Sequence, residues 1–74
     1  MYLVMIERDY PECESYNLLK AYNLLEDAQQ YIKDNIRELF IGDYSFGELH
    51  ILHVEDGAGP KLIVSYPFYY KFEE

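Results

Sequence analysis

Tyr22 to Phe40, YNLLEDAQQYIKDNIRELF, is the stretch on which the fold turns. At about 100° per residue, Leu25, Ala28, Ile32, Ile36 and Leu39 fall in one narrow stripe. Gln30, Lys33, Asp34, Arg37 and Glu38 fall on the other side. That pattern predicts an amphipathic helix. Asn23 can accept a hydrogen bond from the backbone N–H of Glu26, and Glu26 can reach back to the N–H of Asn23, a capping box. Gly42 stands just past the end, where a left-handed residue commonly stops a helix. Such a helix needs a surface to lie on, and the runs on either side of it read as strands.

Residues 2 to 8, YLVMIER, are apolar on both faces for most of their length, which predicts a central strand. Asp9 to Ser15, with Pro11, is a polar connection. Tyr16 to Tyr22, YNLLKAY, predicts a second strand, hairpinned to the first and leading straight into the helix cap. After the helix, Ile41 to Gly47 reads as a loop carrying Tyr44 and Phe46. Glu48 to Glu55, ELHILHVE, and Lys61 to Tyr66, KLIVSY, predict a second hairpin across the turn DGAGP. Pro67 removes a backbone donor, which puts FYYKF at an edge or past a kink. Alternation there puts Phe68, Tyr70 and Phe72 on one face and Tyr69 and Lys71 on the other. The expected fold is therefore α+β, ββαββ: one amphipathic helix packed on one face of a small, mainly antiparallel sheet.

The 74 residues leave room for one domain, 1–74. Cys13 is the only cysteine, so no disulfide forms within the chain, which suits a reducing compartment. Met1 to Ile6 lacks the basic leader and cleavage site of a signal peptide, and no run approaches the ~20 apolar residues of a membrane span. The expected location is the cytoplasm, that of the host cell if the chain is phage-encoded, with no membrane contact. A net charge of −8, from 14 acidic and 6 basic side chains, repels phosphate and argues against direct nucleic-acid binding. It favours encounter with a basic protein surface. Nine tyrosines, with no tryptophan, offer contact area with a polar tip. Solubility and sheet propensity account for the same composition without any partner.

Little in the sequence carries chemistry. His50 and His53 flank an apolar pair near Glu48, Glu55 and Asp56, but an offset of three on a strand places the imidazoles on opposite faces, so this pair does not make a metal site. Glu12 and Glu14 beside Cys13 raise rather than lower a thiol pKa, the wrong environment for a nucleophile. GAGP lies in a hairpin turn and lacks the donors of a phosphate cradle. The expectation is a non-enzyme with no cofactor and no metal; a small-ligand or metal-dependent enzyme ranks last. Glu26, Asp27, Asp34 and Glu38 are read along one side of the polar arc, with Tyr31 at the edge of the apolar stripe and Lys33 and Arg37 on the other side. A solvated face and an acidic, aromatic strip for a basic partner are the two readings of it.

The stretch AYNLLEDAQQYI resembles a pattern of small bacteriophage and mobile-element proteins, in which a strand ends in an aromatic, a capped turn follows, and the helix carries an acidic pair, an alanine and an apolar pair. Ala21, Tyr22, Glu26, Asp27, Ala28, Tyr31 and Ile32 carry the match. The resemblance implies a ββαββ fold and a phage-like origin. Many phage proteins of this size and charge inhibit host machinery, among them anti-CRISPR proteins and DNA-mimicking inhibitors. The expected function is thus a non-enzymatic inhibitor that binds a host protein with a basic surface, a CRISPR effector or another nucleic-acid-binding protein. Its expected contacts are Glu26, Asp27, Tyr31, Asp34, Glu38, Tyr69 and Tyr70. The alternative is a homo-oligomeric structural or regulatory accessory protein, a homodimer pairing through its aromatic C-terminal strand.

Overall fold

A computed structural model describes residues 1–9, 14–40, 46–67 and 70. The chain runs β1 (Tyr2–Asp9), β2 (Glu14–Tyr22), α1 (Leu25–Phe40), β3 (Phe46–His53) and β4 (Lys61–Pro67). The strands form one antiparallel sheet in the order β2-β1-β3-β4, with α1 on one face. The expected α+β, ββαββ arrangement with two hairpins is the one observed, and β1 is central as its two-sided apolar run requires.

The helix stripe does what its periodicity predicts. Ala28, Ile32 and Ile36 are buried against Val4 and Ile6 of β1, Leu49 and Ile51 of β3, and Tyr66 of β4, while Leu25 and Leu39 flank this core half-buried. Alternation along β1 leaves Leu3, Met5 and Glu7 on the open face of the sheet. Helix α1 rests on β2, β1 and β3. The helix-side face of β4 has a different cover: Tyr70 stands edge-on against Tyr66, ring centroids 5.1 Å apart.

Several boundaries differ from the sequence reading. Strand β1 runs on to Asp9 and β2 opens at Glu14 rather than Tyr16, because Asp9 and Arg8 pair with Glu14 and Ser15, both expected in the connection. The helix begins at Leu25 and the Leu24 carbonyl accepts from the Ala28 N–H at 3.3 Å, so the cap falls one residue later than Asn23. The Asn23–Glu26 capping box does not form, because Leu24 occupies the position from which the cap must act. Phe46 and Gly47, expected in a loop, open β3 because Asp9 and Arg8 of the long β1 extend the ladder to them. Conversely β3 ends at His53, short of the expected Glu55. Finally, β4 stops at Pro67, one residue past the expected Tyr66, and the Tyr70 N–H donates to the Pro67 carbonyl at 2.8 Å. Tyr70 is therefore not on a strand, and the alternation expected for the tail fails there, since a proline ends the ladder. The predicted Gly42 stop, Cys13 and its neighbour Glu12, Asp43, Tyr44, and Phe68, Tyr69, Lys71 and Phe72 lie outside the described residues.

The β3–β4 turn behaves as DGAGP predicts. Ala58 N–H donates to Glu55 O at 3.2 Å and Gly57 takes φ 78°, the left-handed position that a type II turn reserves for glycine. Both edge strands carry a bulge: the register skips Leu19 on β2 and Ile63 on β4. Such irregularity twists an edge and discourages pairing with another chain.

Candidate functional site

Two surfaces present themselves. The first is the outer face of α1, where Glu26, Asp27, Lys33, Asp34, Arg37 and Glu38 are all exposed. Helical spacing puts Asp27, Tyr31, Asp34 and Glu38 in a single stripe, at i, i+4, i+7 and i+11. Glu26 departs from the expected grouping: it shares the next stripe with Gln30, Lys33 and Arg37, whose cations offset it. The Asp34 carboxylate accepts from Gln30 Nε2 at 2.8 Å, and Tyr31, half-buried, sets its ring 6.0 Å from that of Tyr22. The Asn35 amide donates to the Tyr31 carbonyl, and Arg8 Nη2 donates to the Leu39 carbonyl at 3.1 Å, which ties β1 to the negative end of the helix dipole. The acidic stripe therefore rides on a helix anchored at both its core face and its C-terminus.

The second surface is the open face of the sheet. Register stacks its residues in three rows: Ala21, Leu3, Leu52 and Leu62; then Leu18, Met5, His50 and Ser65; then Tyr16, Glu7, Glu48 and Pro67. The margins are apolar and open, with Leu18 and Leu62 each 55% exposed. The centre is polar. His50 is only 8% exposed, because Tyr16 reaches over β1 to stack on it, with centroids 5.7 Å apart and planes 16° apart.

Around His50 the polar atoms converge. Nδ1 lies 2.7 Å from Ser65 Oγ. Nε2 lies 3.9 Å from Glu7 Oε2 and 3.8 Å from Glu48 Oε2, and makes no hydrogen bond among the described residues. These three residues can bring ligand atoms within 4.8 Å of one another, the arrangement of a cation site. Tyr16 feels the same cluster: its phenol pKa is raised from the ordinary 10.0 by burial, and further by the Glu7 carboxylate. His53, on the helix side, stacks on Tyr2 at 4.5 Å with Nδ1 3.6 Å from Glu55 Oε1. The two histidines thus face opposite ways, as their offset predicts. What sequence reasoning missed is Glu7, which only the β1–β3 register brings to His50; the histidine with an adjacent glutamate at Glu48 was the available signal.

Of the expected contact residues, the structure groups Asp27, Tyr31, Asp34 and Glu38, sets Glu26 beside the basic stripe, and places the half-exposed Tyr70 against Tyr66 of the edge strand β4; Tyr69 lies outside the described residues. A cavity of about 200 Å³ by the β3–β4 turn, lined by His53, Glu55, Ala58, Gly59 and Lys61, is smaller than the ~300–1,000 Å³ usual for small-molecule sites. Among the described residues no helix is long and apolar enough to cross a membrane. Comparison with protein-family models, curated proteins and solved structures finds no significant match.

Proposed function

We propose that this protein works by binding, as a non-enzymatic inhibitor of phage type that occupies the basic surface of a host defence or nucleic-acid-handling protein. The observation that carries the reading is the stripe Asp27, Tyr31, Asp34 and Glu38: its three carboxylates are exposed and lack ion-pair partners among the described residues. Unpaired like charges along one helix face repel each other and gain by meeting cations. At a partly exposed rim they act chiefly on association rate and salt dependence. The chain's −8 charge adds long-range steering of the same sign.

The test is affinity capture from a nuclease-treated bacterial lysate across a salt series, with the D27N/D34N/E38Q triple variant in parallel. The expected result is one basic, nucleic-acid-binding protein held by the wild type, released by moderate salt and lost from the variant. Equal capture by both proteins, or capture of nothing, ends the proposal.

A second reading has its own support. Leu18 and Leu62 stand exposed on the sheet side away from α1, and a second copy of the chain is a simple way to cover them. This homo-oligomer pairs through the open sheet face rather than through the aromatic tail. Light scattering that returns a monomer mass at every concentration excludes it.

A further inference from the structure

We infer that Glu7, Glu48 and His50 form a binding site for a divalent first-row transition metal of the zinc class on the open face of the sheet. The inference rests on side-chain geometry and is independent of the partner proposed above. His50 is more than nine-tenths buried, and its Nε2 has no hydrogen-bond partner among the described residues. At 3.9 and 3.8 Å from Glu7 Oε2 and Glu48 Oε2, even a proton on Nε2 would stand beyond good hydrogen-bond reach of either carboxylate. In the tautomer whose Nδ1–H donates to Ser65 Oγ, 2.7 Å away, Nε2 carries a lone pair, and it faces the oxygens of two glutamates. The register adds a second liability, because Glu7 and Glu48 are direct cross-strand partners, where like charges repel. One cation between the three groups turns all of these liabilities into ligation.

The dimensions suit it. Nitrogen and oxygen ligands about 2.0–2.2 Å from zinc stand about 3.3–3.5 Å apart on a tetrahedron. Drawing the two His50–glutamate distances in to that value needs about half an ångström of movement, from glutamate side chains that are 33% and 46% exposed, and all three ligand atoms already lie within 4.8 Å of one another. An imidazole with two carboxylates favours zinc, manganese or iron over calcium and magnesium, which take oxygen ligands. Ser65 acts as the outer partner that fixes the tautomer and aims Nε2. The glutamates' exposure leaves the remaining coordination position to water or to a group from another molecule.

The experiment is titration of the full chain with zinc ion, followed by calorimetry, thermal melting and the side-chain nitrogen resonances of the histidines. Expected are one zinc per chain, a shift of the His50 Nε2 resonance, and a rise in Tm. E7Q and E48Q should each weaken binding at least ~10-fold, and S65A about 10-fold through its outer-shell role. Because each Glu→Gln change also relieves the carboxylate pair, these variants should melt at or above the wild type in chelator yet lose the zinc-dependent rise. H53Q, on the opposite face, should bind as the wild type does. An unmoved His50 Nε2 in millimolar zinc overturns the inference; so does equal weakening by E7Q, E48Q and H53Q, the mark of diffuse attraction to an acidic surface.

Discussion

Replacing Gly47 by alanine tests the contact that holds the two central strands at their spacing. Gly47 is buried in β3 opposite Arg8 of β1. A Cβ built there would collide with the Glu7 carbonyl oxygen and stand 3.2 Å from both the Glu7 carbonyl carbon and the Arg8 Cα. All three are backbone atoms of the central strand, so no rotamer change relieves the clash; β1 and β3 must move apart. Overpacking of this kind costs about 1–3 kcal/mol, and a rigid backbone neighbour puts Gly47→Ala at the upper end. The unfolded chain, losing freedom when glycine becomes alanine, returns about 0.4–1 kcal/mol. The net is a loss of about 2–2.5 kcal/mol, out of the roughly 4–11 kcal/mol that 74 residues ordinarily hold. For a domain of this size that is a fall of about 10–20 °C in Tm. Urea unfolding should show a lower midpoint at unchanged slope. Gly59→Ala is the control, since a Cβ there meets no atom within 4 Å. A Gly47→Ala variant within about 0.5 kcal/mol of wild type, the usual scatter of surface substitutions, would refute the reasoning.

Ile32→Ala removes a side chain with no exposure from the centre of the helix–sheet contact, and denaturant titration should read a loss of about 2–5 kcal/mol. The raised pKa of Tyr16 carries a pH signature. A phenol held protonated by burial and by Glu7 contributes stability that is fully present below pH 10, its unfolded pKa, and is lost as pH rises through the folded value. Tyr16→Phe should flatten that alkaline decline in a pH series of urea midpoints; an identical decline in both proteins would contradict the assignment.

Elements were legible wherever a short window carried the information. The i, i+3, i+4 apolar spacing of Leu25 through Leu39 defined the helix, and Gly57 in its turn marked the second hairpin. Boundaries were less legible where two local signals competed. Asn23 is the better cap residue, yet the helix starts beyond Leu24, and the glycines around Phe46 read as a loop although β1 extends the ladder to it. The grouping of Glu26 with Asp27 shows a different failure: neighbours in sequence lie about 100° apart around a helix.

By itself the sequence determined the helix and its buried stripe, the four strands, the two hairpins and the acidic balance, because propensity, periodicity and turn chemistry act over a few residues. Only the tertiary structure decided that β1 lies between β2 and β3, with Glu7 opposite Glu48 and His50 a row away. That choice depends on how strands far apart in the chain share the helix's apolar face, and a one-residue change of register would send Glu7 to the other side of the sheet. The stacking of Tyr16 on His50 depends on the same pairing, since it spans three strands.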